Sequence, residues 1–318
     1  MSFNFARDCW FLTGPTAAGK SDVGVDWAQR IGAEIVSLDS MALYRGMDIG
    51  TAKPTPEQRR RVPHHLIDVL DPQEEFSLAQ YVKAAGRCAA DIVGRGREVL
   101  FVGGTPLYLK ALLRGIFQGP SADWELRRRL LDQARRNGDQ WLHQQVANVD
   151  PAAAARLHPN DTRRLIRALE VYQKTGQPIS ELQRQFDVGR PAADCRVFVL
   201  DWPKAELYAR IQRRVEAMFA AGLVEEVRGL LAGPGPPSRT ARQAVGYREV
   251  IEHLEGRRSR TETIELVQQH TRQLAKRQGT WFRSLSECRF VPISGPLDLP
   301  ESAGLPTIIC RVRETHQP

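Results

Sequence analysis

The first third of the chain alternates short apolar runs with longer stretches of helical period. Residues 8–13 (DCWFLT) read as a buried strand, 20–31 as a helix, 34–38 (EIVSL) as a second strand and 98–102 (EVLFV) as a third. Short, continuously apolar strands separated by helices are expected in a parallel sheet covered on both faces, with its ligand at the carboxyl ends of the strands. Between about Pro120 and Asp194 the strands disappear. There, 124–136, 138–149, 151–157 and 160–174 read as helices, the last opened by Asn160/Asp161 and closed by Gly176. A strand at 196–201 restores the α/β texture. Helices follow at 204–221, 222–231, 247–255 and 261–285, with a Gly/Pro loop at 233–237. On the last helix Arg272, Lys276 and Arg283 fall on one stripe, and Leu274, Trp281 and Leu285 on another, which predicts a packed face and a basic outer face. Residues 291–318 form a Pro/Gly-rich tail with one short apolar stretch, 307–311. The expected architecture is an α/β core made of residues 1–119 and 195–318, interrupted by an inserted all-helical domain at 120–194.

Composition changes this picture little. Hydrophobic residues make up 42% and charged residues 26% of the 318, ordinary for a globular protein with room for two domains. No apolar run approaches the roughly 20 residues of a membrane span, and the first residues lack a secretory pattern, so no membrane association and a cytoplasmic address are expected. Cys9, Cys88, Cys195, Cys288 and Cys310 are scattered without a Cys-x-x-Cys pair, which argues against a disulfide framework or a structural zinc site. Charge says more through its distribution than through its total of +8. Between Gln269 and Arg289 stand Arg272, Lys276, Arg277, Arg283 and Arg289 against the single acid Glu287. Such a surface is either a footprint for a polyanion or a plain solvated face.

The strongest chemical signal is Gly14-Pro15-Thr16-Ala17-Ala18-Gly19-Lys20-Ser21. It matches G-x-x-x-x-G-K-[ST], after a predicted strand and before a predicted helix. Glycines let backbone N–H groups turn toward phosphate oxygens, Lys20 adds a charge, and the Ser21 hydroxyl is a candidate Mg²⁺ ligand. The loop recognises phosphates, so whether its ligand is a nucleotide stays open. The strand at 34–38 ends in Asp39-Ser40, where one carboxylate beside the phosphate site could be a metal ligand, a general base or a helix cap. The strand at 98–102 ends in Gly103-Gly104-Thr105, which offers backbone donors and a hydroxyl but no acid. No acid or Cys near His64-His65 completes a ligand set, and the pair suits hydrogen bonding better than metal binding. Arg163 and Arg167, one helical turn apart, are either solvated or phosphate contacts.

With these residues in view the sequence resembles the tRNA dimethylallyltransferase (tRNA isopentenyltransferase) family nearly end to end. The matching stretches are GPTAAGKS (14–21), DSMALYRGMDIGTAK (39–53), PHHLID (63–68), FSLAQY (76–81), GGTPLYLKALL (103–113), HPNDTRRLIRALEV (158–171), QAVGYRE (243–249) and RQLAKRQGTWFR (272–283). The resemblance implies a P-loop NTPase-like parallel-sheet core with a helical, tRNA-binding insertion. It implies transfer of a dimethylallyl group from dimethylallyl pyrophosphate to N6 of adenosine 37 in tRNAs reading codons that begin with U. Asp39 would be the general base and Thr105 the partner of the bridging oxygen. Arg214 would neutralise the leaving group, and the 14–21 loop would bind pyrophosphate with Mg²⁺ at Ser21. Implied contacts with the tRNA anticodon loop are Asp39, Ser40, Met41, Ala42, Thr105 and Arg127. They continue with Arg163, Arg164, Leu165, Ile166 and Arg167, then Gln243, Ala244, Val245, Gly246, Tyr247 and Arg248. The last group is Lys276, Arg277, Gln278, Gly279, Thr280, Trp281, Phe282 and Arg283. Many members carry Gln at the positions of Ala42 and Arg163, which touches fine substrate preference. A monomer is expected. The competing expectations are a P-loop small-molecule or nucleotide kinase, and an RNA-binding protein without chemistry.

Overall fold

Six strands form one wholly parallel sheet in the order β3-β2-β4-β1-β5-β6: β1 (Trp10–Thr13), β2 (Ala33–Ser37), β3 (His64–His65), β4 (Glu98–Val102), β5 (Val197–Asp201) and β6 (Cys288–Pro292). The computed structural model describes residues 4–117, 119–138, 140–184 and 188–293; the predicted apolar stretch at 307–311 and Cys310 lie outside them. Chain order reverses about β1: the chain runs out through β2 and β3, returns to β4, and crosses to β5 on the other side. A crevice opens at such a switch point, at the carboxyl ends of the strands. Here that end of β1 carries the loop 14–21.

Four differences from the sequence pattern have physical causes. Phe5–Asp8 is a helical turn whose N-cap Asn4 side chain accepts from Ala6 N, so the first strand starts at Trp10 and not at Asp8. Strands β3 and β6 carry His64, His65, Arg289 and Pro292; sheet edges need little continuous apolar sequence, so neither strand shows in the pattern. The helices Pro56–Arg61 and Leu78–Gly94 open with capping boxes, Thr55/Gln58 and Ser77/Gln80, a signal legible in the sequence that periodicity alone passes over. On the long helix Arg260–Arg283 the buried seam is Thr263, Val267, Thr271, Ala275, Gln278 and Phe282. Leu274 and Trp281, expected to pack, are only half-buried. A seam of Thr, Ala and Gln is nearly invisible to a hydrophobicity pattern.

The chain divides into two compact units, one built from the segments flanking Arg114–Gly189 and one formed by Arg114–Gly189 itself. In the first, Phe11 stacks on Phe101 at 4.9 Å, and Trp27 packs edge-on against Trp10 (5.6 Å) and Phe198 (5.5 Å). The Trp27 contacts seat the helix Lys20–Ile31 on the sheet. Gly24 makes the approach possible, because a Cβ there would lie 2.9 Å from Val102 Cγ2. The second unit packs the helices Trp124–Asn137, Trp141–Val149, Pro151–Arg156 and Thr162–Thr175 around Leu126, Leu130, Leu142, Val146, Leu165 and Leu169. No helix among the described residues is long and apolar enough to cross a membrane.

Candidate active site

Three strand ends meet in a cavity of about 900 Å³, lined by the 14–21 loop, the Asp39–Ala42 turn and the Gly103–Pro106 segment. Local sequence sets each piece. The loop enters through Gly14 at φ +146, where a Cβ would lie 3.0 Å from Leu200 O, and it leaves through Gly19 at φ +86, the N-cap of Lys20–Ile31. Glycine tolerates both conformations without Cβ strain. Ala17 sits at φ +65. Side chains from outside hold the loop in this shape. Arg210 Nε donates to Ala17 O at 2.8 Å, Trp202 Nε1 donates to Ala18 O at 3.0 Å, and Arg210 itself lies 4.4 Å over the Trp202 ring.

The other two strand ends are laced together. Leu38 N donates to Val102 O, Thr105 N donates to Leu38 O at 3.1 Å, and Thr13 Oγ1 donates to Gly103 O at 2.8 Å. Gly103 has no alternative, since a Cβ would fall 2.3 Å from Leu38 C. Ser40 N donates to Thr105 Oγ1 at 3.1 Å. That occupies a lone pair of the hydroxyl and leaves its proton for the cavity. Asp39 Oδ1 accepts from Met41 N at 2.8 Å, and Oδ2 has no hydrogen-bond partner among the described residues. No helix starts after Asp39, so this bond shapes an Asx-type turn and is not a helix cap. Below these, Tyr81 of the FSLAQY stretch donates to Ser37 O at 2.9 Å, and its ring stacks at 3.7 Å on Tyr108 of GGTPLY.

The electrostatics are lopsided. Lys20, Arg210, Arg213 and Arg214 all line the cavity, and none forms an ion pair with a carboxylate among the described residues. Arg210, Arg213 and Arg214 recur at i, i+3 and i+4 on the helix Lys204–Ala220, one face of a helix by spacing alone. The sequence reading took Arg214 and passed over its two neighbours, although RIQRR contains the signal. Burial pushes the Lys20 ammonium down to about 8, the Arg214 charge adds to the shift, and Asp39 opposes it. Burial likewise lowers Arg214, with Asp39 holding it charged. A polyanion bound here would relieve this repulsion. We therefore expect affinity for inorganic pyrophosphate to fall as pH rises through about 8, as free Lys20 loses its proton. Lys20→Arg keeps its charge there, so a calorimetric titration of that variant should show a flatter profile. Equal profiles would refute the role.

The remaining sequence candidates divide clearly. His64 faces the cavity with Nδ1 donating to Val62 O at 2.7 Å, while His65 points the other way to Glu34, at 2.7 Å, which also takes Arg95. Adjacent strand residues face opposite sides, so the pair forms no common ligand set. Gln243, Ala244, Val245, Gly246, Tyr247, Arg277 and Gln278 line the cavity. Tyr247 is buried and donates to Glu226 Oε1 at 2.6 Å, and Gln278 is buried against the loop, so neither side chain offers a free surface. Arg248 lies outside the cavity on Glu249. Lys276, Arg277, Thr280 and Arg283 are exposed along the long helix, Gly279 and Trp281 are half-buried, and Phe282 is in the core.

In the Arg114–Gly189 unit, Arg127 pairs bidentately with the fully buried Glu170, at 2.9 and 2.7 Å. Arg167 joins it at 2.5 Å. Burial pushes the Glu170 carboxyl up, but these hydrogen bonds and that from Asp123 N outweigh it and hold it below the usual range. Leu165 and Ile166 are core residues. Of this group only Arg163 and Arg164 present exposed side chains, with Arg164 on the N-cap Asp161. The reason is helical period: consecutive residues cannot all share the outer face.

Residues 42–285 match the IPP transferase family. The chain is 49% identical to a tRNA dimethylallyltransferase of Geobacter metallireducens over 287 residues, covering 90% of this chain and 93% of that one. It is 49% identical to one of Rhodopirellula baltica over 290 residues, covering 89% and 87%. Among solved structures, the full-length tRNA isopentenylpyrophosphate transferase of Bacillus halodurans superposes with a TM-score of 0.69 at 36% identity, covering 97% of each chain. A eukaryotic dimethylallyltransferase acting on tRNA superposes with a TM-score of 0.78 at 25% identity, covering 98% of this chain and 80% of that one.

Proposed function

The chain belongs to the IPP transferase family, and on that premise we propose that it transfers the dimethylallyl group of dimethylallyl diphosphate to tRNA, at N6 of adenosine 37 in tRNAs reading codons that begin with U. The observation that carries the reading is the convergence of four cations lacking carboxylate partners with the half-free carboxylate of Asp39, at the end of the neighbouring strand. A diphosphate supplies the missing negative charge. An exocyclic amine, whose proton must leave as it is alkylated, supplies the task for the carboxylate.

In this mechanism Lys20 and the loop amides hold the diphosphate, and Arg214 lies where charge develops on departure. The N6 lone pair forms the new bond to the allylic carbon as the carbon–oxygen bond breaks and its electron pair passes to the bridging oxygen. Thr105, whose hydroxyl proton is not used by the protein, donates to that oxygen, and Asp39 Oδ2 accepts the N6 proton. The base must be unstacked to reach Asp39.

A Mg²⁺ ion fits the donor set as a shared ligand. The Ser21 hydroxyl lines the cavity without a protein hydrogen bond, and no group of three His, Cys, Asp or Glu that could hold a metal occurs among the described residues. Mg²⁺ keeps several waters and takes substrate phosphate oxygens, so the Ser21 hydroxyl would hold it together with the diphosphate, and it would supply charge neutralisation of the leaving group. The RNA is read, in our proposal, by the exposed Lys276, Arg277, Arg283, Arg163 and Arg164.

A P-loop kinase needs an acid to hold its metal, commonly at the end of a second strand. Strand β4 ends in Gly103-Gly104-Thr105 instead. The test is incubation with labelled dimethylallyl diphosphate and unmodified tRNA: label should enter RNA and should stop entering on chelation with EDTA. Unlabelled RNA with ATP consumed would overturn the assignment.

A further inference from the structure

One buried side chain ties the phosphate loop to the segment bearing Thr105 without belonging to either. Gln278, from the penultimate turn of the helix Arg260–Arg283, accepts from Thr16 N through Oε1 at 2.8 Å and donates from Nε2 to Gly104 O at 2.6 Å. It is 9% exposed. The partners dictate the amide's orientation, because an N–H demands the oxygen and a carbonyl demands the NH₂. Gly104 is required for this approach. A Cβ there would stand 2.8 Å from Gln278 Nε2 and 3.4 Å from Lys20 Nζ, so the Gly104 backbone lies between the two side chains.

We propose that Gln278 is a positioning residue for the diphosphate, setting the separation at which one ligand reaches both Lys20 and Thr105. This rests on the reading of the 14–21 loop as a diphosphate site. The other links between the strand ends run from Leu12 and Thr13 to Gly103, from Leu38 to Val102 and Thr105, and from Thr105 to Ser40. None of these reaches the loop beyond Thr13, and among the described residues Gln278 alone joins the tip at Thr16 to Gly104 by hydrogen bonds. Its neighbour Arg277 is exposed and lines the same cavity, so this turn of helix faces the site on both counts. The role demands one acceptor and one donor on the same planar group. Glutamate lacks the donor and would set a negative charge against Gly104 O and near the bound anion. Methionine matches the shape and lacks both bonds.

The test compares Gln278→Met and Gln278→Glu with the parent enzyme in steady-state transfer and in competitive inhibition by inorganic pyrophosphate. Loss of two neutral hydrogen bonds predicts a rise of roughly tenfold in the KM for dimethylallyl diphosphate with Gln278→Met. The inhibition constant for pyrophosphate should rise in parallel and the KM for tRNA should stay within about twofold. Gln278→Glu should lose more than Gln278→Met on both donor measures. A general packing defect does not select the donor over tRNA. A raised KM for tRNA with unchanged donor constants, or no change in either, overturns the proposal. Failure of pyrophosphate to compete in the parent enzyme would instead remove the diphosphate reading on which it rests.

Discussion

Asp39→Asn should lower the transfer rate under single-turnover conditions by roughly 10²–10⁴-fold while leaving both substrates bound. The substitution preserves what the folded chain needs from this position: an Asn oxygen still accepts the Met41 N–H that shapes the turn. It removes only the group able to take a proton from N6. The charge lost is also one that stabilises protonated Lys20 and charged Arg214, so these cations lose their nearest offsetting anion. Diphosphate binding should therefore hold or tighten, which separates loss of the base from loss of the site. Pre-bound labelled donor and tRNA, mixed and quenched in time, give the rate directly. A variant that turns over within a few-fold of the parent enzyme would leave the amine's proton to another acceptor and remove Asp39 from the mechanism.

Arg214→Ala is expected to cost about 10²–10³-fold in kcat, the scale for removing one preorganised group from a developing negative charge. Arg213→Ala should cost less, because that side chain is exposed and water screens it. The Arg214 variant carries a second signature. Arg214 is one reason Lys20 loses its proton near 8, so without it Lys20 should titrate higher. The pH at which donor affinity falls should then move upward in Arg214→Ala and stay put in Arg213→Ala. A rate unaffected by Arg214→Ala, or an unshifted profile, would mean the guanidinium does not share the diphosphate with Lys20.

Much of the site is legible along the chain because its parts are contiguous. The loop Gly14–Ser21 is eight successive residues between a strand and a helix, and its phosphate chemistry follows from backbone geometry at those residues alone. Asp39 and Gly103-Gly104-Thr105 are legible as ends of apolar runs. The Arg210, Arg213 and Arg214 triplet is equally legible, at spacing that places it on one helix face, but it shows only in the periodicity of charge and not in that of apolar residues.

Other features are hidden from the sequence because one-dimensional patterns carry no partner. Arg127 and Arg167 have the look of RNA contacts until Glu170 is found buried between them. Tyr247 and Gln278 sit in polar, basic stretches yet are buried, on Glu226 and on the phosphate loop respectively. Burial of a polar group is costly unless a partner is supplied, and those partners lie 21 residues away for Tyr247 and 262 for Gln278.

By itself, then, the sequence determined the elements that short-range physics controls: the alternation of apolar runs and helices, the glycine-dependent phosphate loop, the strand-end acid and the strand-end threonine. Tertiary structure alone decided which charges are free. Lys20, Arg210, Arg213 and Arg214 gather without a carboxylate partner, whereas Arg127 and Arg167 are spent on one. That distinction depends on which residues fold into contact across long stretches of chain, and a cation's availability for an anion is set by its nearest neighbours in space.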